Sequence, residues 1–348
     1  MPSDKVIMEG VERKFGQTVA IESLDLSIRE GEFLTMLGPS GCGKTTTLRI
    51  IAGFVDPTAG KVLLDGTDIV RIPPNRREVG MVFQNYALFP HLSVRDNIAF
   101  GLKQRGTSGE RQRDRVTELL RLVKMEGYED RLPGELSGGQ RQRIAIARAI
   151  AHPPKVLLMD EPLGALDLKL REDMQQELRS LQQKLEITTL YVTHDQTEAM
   201  AMSDRIVVMN RGRVEQVGTP REIYLRPASR FVASFVGKIN VFPTAILRPL
   251  VVGELLLPVA RRESSAQSLL GLRPEWINIQ RPGTQREGAN NIAATVHDVV
   301  FLGNHARVTV ALDPKTFAEV HVSAIDSAPS RGEQVSISWE ADRAILLD

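Results

Sequence analysis

Short apolar runs alternate with helical patterns from residue 1 to about 236. The runs 33–37 (FLTML) and 156–160 (VLLMD) are apolar almost throughout, which predicts strands covered on both faces. A third β-rich run, TTLYVTH, follows at 188–194. Between the second and third runs, apolar residues recur every three or four positions, at Leu170, Met174, Leu178, Leu181 and Leu185. This spacing predicts one face of a helix, so the pattern indicates a β-α-β unit in an α/β domain with a mainly parallel sheet.

Two stretches depart from this alternation. Residues from about 88 to 150 are mostly helical in pattern, which predicts a helical insertion between strands of the sheet. After residue 236 the segments are short and β-rich, and clusters of Gly, Pro and Asn separate them. That texture predicts a small all-β barrel or sandwich. We therefore predict two domains of different class, 1–236 and 237–348.

A phosphate-binding loop follows the first predicted strand. Residues 38–45 (GPSGCGKT) match G-x-x-x-x-G-K-[ST], and a predicted helix follows them. The glycines let backbone N–H groups converge on phosphates, Lys44 reaches the terminal phosphates, and the Thr45 hydroxyl can coordinate Mg²⁺. The predicted nucleotide contacts are Gly38, Pro39, Ser40, Gly41, Cys42, Gly43, Lys44, Thr45 and Thr46. Because the backbone of this loop does the binding, we interpret the thiol of Cys42 as incidental.

Chemically active side chains follow the other two strands. Asp160 ends the run 156–160 and Glu161 follows it, and His194 is the last residue of the third run. Parallel strands bring these residues to the carboxyl edge of the sheet, where ligands of open α/β folds bind. Asp160 is placed to hold the Mg²⁺ shell, Glu161 to take a proton from the attacking water, and His194 to contact a γ-phosphate. Lys44, Glu161 and His194 form the predicted catalytic set.

Composition narrows the class of protein. The chain has 44 Lys and Arg against 43 Asp and Glu, and residues 237–348 hold 11 and 12 of them. Nucleic-acid-binding proteins usually carry a basic domain or stripe, so this balance disfavours nucleic acid as a partner without excluding it. A single cysteine excludes an internal disulfide. No apolar stretch approaches the ~20 residues that span a bilayer, and the N-terminus lacks the apolar core of a signal peptide, so we expect a cytoplasmic protein.

A second glycine-rich motif identifies the family that the sequence resembles. Residues 136–140 (LSGGQ) precede the helical pattern RQRIAIARAIA. With the phosphate loop and the strand-end carboxylates, they make the chain resemble the nucleotide-binding subunit of an ATP-binding cassette (ABC) transporter over nearly its whole length. The resemblance implies ATP hydrolysis with ATP and Mg²⁺ as cofactors, in a head-to-tail dimer with two ATP sites. The implied contacts to the partner's ATP are Ser137, Gly138, Gly139 and Gln140.

Further site residues come from the same resemblance. Gln84 resembles the Q-loop glutamine, which is implied to contact Mg²⁺ together with Thr45 and Asp160. Phe15 resembles the aromatic residue that stacks on adenine, with a core aromatic as the alternative. Residues 164–167 resemble the D-loop.

The resemblance also implies partners. Tyr86, Leu88, Phe89 and Pro90 resemble the surface that docks onto a membrane subunit, with core packing as the alternative. Residues 271–275 (GLRPE) resemble the motif of the OB-like transport-associated domain in bacterial importer ATPases. This implies a homodimer of ATPase subunits, two membrane-spanning permease subunits and, indirectly, a solute-binding protein. The implied location is peripheral, on the cytoplasmic face of the inner plasma membrane, with no nucleic-acid partner.

The transported solute is less well defined. The segment FVGKINVF after the first domain favours polyamines or a similar small solute, while sugars, ferric iron, phosphonates and sulfate stay open. A soluble ABC ATPase acting on nucleic acid or ribosomes is the alternative from a different class. Such chains typically carry coiled-coil insertions, zinc cysteines or tandem cassettes, whereas this chain has one cassette and one cysteine. Whether the C-terminal domain binds a regulatory ligand or protein stays open.

Overall fold

A computed structural model describes residues 3–164, 166–258, 268–323 and 328–347. Contacts divide the chain into two compact units, Met1–Arg221 and Glu222–Asp348. The predicted domain boundary at residue 236 lies 15 residues beyond Arg221, where the first unit ends. Each unit is described separately below.

The regular elements of the described residues are numbered in chain order. The strands are β1 (Asp4–Phe15), β2 (Thr18–Arg29), β3 (Phe33–Leu37), β4 (Ala59–Leu64), β5 (Thr67–Asp68), β6 (Val79–Val82), β7 (Val156–Asp160), β8 (Thr188–Thr193), β9 (Arg205–Asn210), β10 (Arg213–Gly218), β11 (Asn240–Pro243), β12 (Leu269–Leu272), β13 (Asn278–Gln280), β14 (Ala289–Phe301), β15 (His305–Ala311), β16 (Phe317–Ser323), β17 (Gln334–Glu340) and β18 (Ile345–Leu347). The α-helices are α1 (Lys44–Ala52), α2 (Val94–Gln104), α3 (Gly109–Leu122), α4 (Gly138–Ala149), α5 (Leu168–Leu185), α6 (Gln196–Met202), α7 (Pro220–Leu225), α8 (Arg230–Phe235) and α9 (Thr244–Leu247).

The centre of the first unit is a six-stranded sheet. Its strand order is β10-β9-β3-β8-β7-β6, and all neighbours except β10 and β9 pair in parallel. Every residue of β3, β7 and β8 is buried, because helices and a second sheet cover both faces. The predicted α/β class with a mainly parallel sheet is confirmed.

A second sheet of the first unit was not predicted. It is antiparallel, with the order β2-β1-β4-β5. Val6, Met8 and Val11 of β1 are buried and share a core with residues of α1 such as Leu48 and Ile51. The sequence pattern missed this sheet because the pairing register of β1 shifts between Met8 and Val11, so the inward residues do not keep strict alternation.

The helical insertion lies between β6 and β7, as predicted. Helices α2, α3 and α4 pack around buried residues that include Ile98, Leu119 and Ile144. The Ser93 hydroxyl caps α2 by accepting from the Asp96 N–H at 3.2 Å. Helix caps of this kind satisfy N–H groups that have no partner within the helix.

The second unit is all-β apart from short helices. Its sheets have the orders β11-β12-β18 and β13-β17-β14-β15-β16, and every pair of neighbouring strands is antiparallel. Both sheets contribute to one core, which contains Leu270, Val308 and the buried Trp339. The predicted all-β, OB-like class is confirmed. The segment 240–247 (NVFPTAIL) changes class within this unit, because β11 ends at Pro243 and α9 follows it directly.

The motif at 271–275 places a buried guanidinium in the second unit. Arg273 is fully buried and donates to the carbonyl of Tyr224 at 2.8 Å and to that of Lys238 at 3.1 Å. Its guanidinium carbon also lies 3.6 Å from the centroid of the Tyr224 ring. The side chain thus joins residues near the start of this unit to the end of β12.

Arg273→Lys is expected to destabilise the second unit by about 2 kcal/mol, because a lysine can neither reach both carbonyls nor stack on the ring. The two tryptophans of the chain, Trp276 and Trp339, both lie in this unit, so thermal melting followed by tryptophan fluorescence reports on it selectively. Arg343→Lys is the matched control, since that side chain is exposed. Equal melting midpoints for the two variants would contradict the structural role of Arg273.

Within the described residues, no helix has both the length and the apolar content needed to cross a lipid bilayer.

Candidate functional site

Four parallel strands deliver the predicted site residues to one edge of the sheet. The phosphate loop follows β3, Gln84 follows β6, Glu161 follows β7 and His194 follows β8. These strands are neighbours in the order β3-β8-β7-β6 and run in the same direction, so their carboxyl ends meet. Such an edge is the usual ligand site of open α/β sheets.

The phosphate loop has glycines where a side chain would not fit. A Cβ at Gly38 would lie 2.3 Å from the carbonyl oxygen of Met209, and one at Gly43 would lie 2.7 Å from that of Ala20. Gly43 also has a φ of 111°, which strongly favours glycine, and it immediately precedes α1. The loop therefore turns directly into a helix N-terminus, where backbone N–H groups and the helix dipole favour an anion.

Lys44 lies inside this loop. Its side chain is buried, and its Nζ donates to the carbonyls of Gly38 at 2.7 Å and Pro39 at 3.0 Å. The Sγ of Cys42 is 3.8 Å from the same amine, and burial raises the pKa of this thiol. A neutral, buried thiol is a poor nucleophile, which agrees with its interpretation as incidental.

Thr45 and Asp160 are joined by a direct hydrogen bond. The Thr45 hydroxyl donates to Asp160 Oδ1 at 2.9 Å, although the residues are 115 positions apart. Burial raises the pKa of Asp160, and the hydrogen bond from Thr45 opposes this shift. A bound cation would oppose this effect of burial, because a nearby positive charge favours the ionised carboxylate. A hydroxyl and one carboxylate suit Mg²⁺, which takes its remaining ligands from phosphates and water.

The described residues hold no group of three or more His, Cys, Asp or Glu side chains that could bind a metal by themselves.

Glu161 is the residue on which the other predicted groups converge. Its Oε2 is 3.3 Å from the Gln84 amide nitrogen, which donates to it, and 3.2 Å from His194 Nδ1. The backbone φ of Glu161 is 44°, and its N–H donates to the carbonyl of Val192 at 3.0 Å. A left-handed conformation at a non-glycine residue is uncommon and strained, and here it turns the side chain out of β7 toward its neighbours.

The LSGGQ motif forms the N-terminus of α4 on the helical insertion. The Ser137 hydroxyl accepts from the Gln140 N–H at 3.3 Å, and the Gln140 side chain accepts from the Ser137 N–H at 2.8 Å. A Cβ at Gly138 would lie 3.1 Å from Leu166, and one at Gly139 would lie 3.2 Å from Leu170. Among the described residues, no hydrogen bond or ion pair joins this motif to the phosphate loop of the same chain.

The remaining predicted residues have less contact with the site. Phe15 ends β1, is 48% exposed and lies under the Arg13 guanidinium at 4.2 Å, so it is not a core aromatic. Ser40 and Gly41 are exposed, and Thr46 is half-buried on α1. Of the predicted D-loop 164–167, Ala165 lies outside the described residues.

Sequence reasoning missed two groups near the site. Arg148 donates to the carbonyls of Ala87 at 2.7 Å and Tyr86 at 2.9 Å. Both of these residues have positive φ, so the two hydrogen bonds stabilise the unusual backbone that follows Gln84. The signal was a single arginine within the apolar pattern IAIARAIA. The other group is Glu198 on α6, a buried carboxylate whose pKa is raised by burial.

Comparisons with known proteins identify the family of the chain. The ABC transporter family model matches residues 21–164, and the TOBE domain model matches residues 270–347. The spermidine/putrescine import ATP-binding protein PotA of Nitrosospira multiformis is 44% identical, over 98% of this chain and 98% of that protein. PotA of Rubrobacter xylanophilus is 47% identical, over 98% of this chain and 93% of its own length.

Solved structures show the same fold for the first unit. The ATP-binding cassette MJ0796, a dimer in a post-hydrolysis state with ADP and Pi, is 35% identical with a TM-score of 0.55. That match covers 62% of this chain and 99% of the other. The cbiO1 protein of Clostridium perfringens, part of the cbiONQ ABC transporter complex, is 30% identical with a TM-score of 0.60, over 65% of this chain and 92% of its own. The chain therefore belongs to the ABC transporter family, as one of its ATP-binding and ATP-hydrolysing subunits.

Proposed function

We propose that the chain is the ATPase of an import system for polyamines. The observation that carries this proposal is full-length similarity, at 44–47% identity, to relatives named as spermidine/putrescine import ATP-binding proteins. The similarity includes the second unit, which is absent from a bare cassette such as MJ0796. It does not favour sugars, ferric iron, phosphonates or sulfate, nor a role on nucleic acid or ribosomes.

The chemistry at the sheet edge is that of water attacking a terminal phosphate. Residues 38–46 would hold the phosphates through backbone N–H groups, with Lys44 exchanging its loop carbonyls for phosphate oxygens. Thr45 and Asp160 would hold Mg²⁺, with Gln84 nearby, and the metal would supply charge neutralisation for the phosphates. Burial raises the pKa of Asp160. The carboxylate must be ionised to bind Mg²⁺, and the charge of the cation favours the ionised form.

Glu161 would take the proton from the attacking water. Its carboxylate contacts the Gln84 amide and the His194 ring. Among the described residues it forms no ion pair with a lysine or arginine, so it can accept a proton from water. His194 would orient this carboxylate through Nδ1 and contact the γ-phosphate through its other ring nitrogen, Nε2. Its side chain is 60% exposed, so a phosphate can reach it.

The ATP site would be completed by a second copy of the chain. Ser137 and the N–H groups of residues 138–140 stand at the N-terminus of α4 and make no described contact with the phosphate loop of their own chain. A head-to-tail homodimer would bring this motif onto the ATP of the partner and form two sites. The helix N-terminus would then stabilise the charge that develops on the phosphate.

A groove beside Gln84 would take the membrane subunit. It has a volume of about 460 Å³, and its lining includes Phe83, Phe89, Phe100 and Arg148. The rings of Phe89 and Phe100 contact each other in a tilted arrangement, with centroids 4.5 Å apart. Of the predicted docking residues, Tyr86 is buried and Leu88 packs partly against the core, whereas Phe89 lines the groove and Pro90 is exposed.

We therefore infer two permease subunits per homodimer, docked at this groove, with a solute-binding protein acting through them. The ATPase would lie peripherally on the cytoplasmic face of the inner plasma membrane.

Uptake in a strain that lacks this chain tests the proposed solute. Entry of radiolabelled spermidine and putrescine is expected to fall to background, to return with the unmodified chain, and to stay at background with Lys44→Ala. Uptake of sugar, sulfate, phosphonate and ferric iron measured in parallel is the control. Unchanged polyamine uptake together with loss of one of these solutes would overturn the polyamine assignment and leave the ATPase assignment intact.

A further inference from the structure

Glu198 is a buried carboxylate behind the strand end that carries His194. It lies on α6, is 2% exposed, and its Oε2 accepts two hydrogen bonds. The Tyr191 hydroxyl donates to it at 2.8 Å and the Thr193 hydroxyl at 2.7 Å. The described residues include no ion-pair partner for it. Burying a carboxylate without a counter-ion is costly, and an apolar residue would serve packing alone at less cost.

The Thr193 hydroxyl links Glu198 to the backbone next to His194 through two hydrogen bonds. It donates its only proton to Glu198 and accepts a hydrogen bond from the Asp195 N–H at 3.0 Å. A hydroxyl has one proton, so donation to the carboxylate leaves its lone pairs free for the Asp195 amide. His194 lies between the two residues that this chain of hydrogen bonds joins.

Asp195 is fixed from its other side as well. Its carboxylate accepts from the Thr197 N–H at 2.7 Å, which caps α6, and pairs with Arg171 of α5 at 3.1 Å. The imidazole of His194 itself is mostly exposed and touches Glu161 at 3.2 Å. Its position therefore depends on the backbone that carries it, because few side chains surround it.

We propose that Glu198 is a positioning residue for ATP hydrolysis. It acts through Thr193 to fix the backbone at residues 193–195, and thereby holds the imidazole of His194 against Glu161. The inference rests on the proposed part of His194 in hydrolysis. It adds a residue that lies outside the set predicted from the motifs and that has no hydrogen bond or ion pair with the phosphate loop among the described residues.

Two single substitutions separate positioning from packing. Thr193→Val and Tyr191→Phe each remove one hydroxyl donor to the same oxygen of Glu198 with little change of shape, but only Thr193 is joined to Asp195. We expect Thr193→Val to lower kcat about tenfold, which is what one lost hydrogen bond to a charged group is worth. KM for ATP stays unchanged because the phosphate loop binds the nucleotide. Tyr191→Phe is expected to keep kcat within about twofold.

A second pair of substitutions tests Glu198 directly. In Glu198→Gln the amide oxygen can still accept from both hydroxyls, so kcat is expected to stay within about threefold of the unmodified value. Glu198→Leu removes the acceptor and is expected to match Thr193→Val, with lowered kcat and unchanged KM. If Glu198→Leu fails to fold, the comparison of Thr193→Val with Tyr191→Phe still decides the question. Equal kcat for those two variants, or a folded Glu198→Leu with unmodified kcat, would overturn the inference.

His194→Ala shows which proposal fails. If this variant hydrolyses ATP at the unmodified rate, the proposed part of His194 is wrong and the inference about Glu198 is overturned with it. If His194→Ala is inactive while Thr193→Val is as active as Tyr191→Phe, only the positioning role of Glu198 is wrong.

Discussion

Glu161→Gln is expected to lower kcat for ATP hydrolysis by at least about 100-fold, the usual effect of losing a general base. The amide cannot take the proton of the attacking water. It keeps the size of the side chain and an oxygen that can accept from Gln84, so the geometry of the site changes little. ATP affinity is expected to stay near that of the unmodified chain, because the proposed phosphate contacts come from residues 38–46. Steady-state phosphate release and equilibrium ATP binding measure the two quantities.

Glu118→Gln is the matched control for Glu161→Gln. Glu118 is an exposed carboxylate on α3 that forms a surface ion pair with Arg115, so its loss should leave kcat unchanged. A Glu161→Gln variant that retains more than a tenth of the unmodified kcat would show that another group accepts the proton. A variant that fails to bind ATP would instead place Glu161 in nucleotide binding.

Ser137→Arg is expected to lower kcat by about 100-fold or more while each subunit still binds ATP. The long side chain would stand at the N-terminus of α4, where the partner's phosphates must approach the N–H groups of residues 138–140. It would also break the reciprocal hydrogen bonds between Ser137 and Gln140. Hydrolysis would be lost without any change at the phosphate loop, because that loop belongs to the other subunit in each site.

Ser108→Arg controls for the substitution itself. Ser108 is the exposed N-cap residue of α3, on the same helical insertion, and its side chain makes no capping hydrogen bond. This variant is expected to hydrolyse ATP normally. Unmodified steady-state activity in Ser137→Arg would mean that the signature motif has no part in the site.

Three strands of the central sheet, β3, β7 and β8, could be predicted almost to the residue. The runs FLTML and VLLMD became Phe33–Leu37 and Val156–Asp160, because a strand buried on both faces is apolar at every position and needs no periodicity to be seen. The helix α5 followed from its three- and four-residue spacing, and it ends at Leu185 as the pattern does.

Long-range pairing could not be predicted in the same way. The N-terminal antiparallel sheet joins β1 to β4, with the register shift near Val11, and neither strand has a distinct local pattern. The short α9 follows Pro243 within a segment rich in β-formers, where the proline fixes φ and ends the pairing of β11. Both features depend on partners distant in sequence, which a local pattern does not contain.

At the site, the sequence likewise predicted the positions of residues along the chain but not the contacts between them. Its motifs placed Asp160, Glu161 and His194 at strand ends because a short local sequence specifies each strand and the turn after it. The contacts between these residues were not predictable from spacing. Gln84 reaches Glu161 across 77 positions, and Lys44 folds back onto the carbonyl of Gly38. The buried carboxylate of Glu198 had no motif of its own, and only its hydrogen bonds reveal it.

Cysteine cross-linking tests most directly whether two copies of the chain share each ATP site. Cys42 is the only cysteine, so Cys42→Ser gives a background without thiols. One sample then carries Ser40→Cys in the phosphate loop and a second carries Ser137→Cys in the signature motif, each combined with Glu161→Gln to retain ATP. With a short bifunctional thiol reagent and Mg²⁺-ATP, a head-to-tail dimer predicts covalent dimers in the mixture of the two samples and none in either sample alone. A mixture that stays monomeric with ATP bound would contradict the shared site.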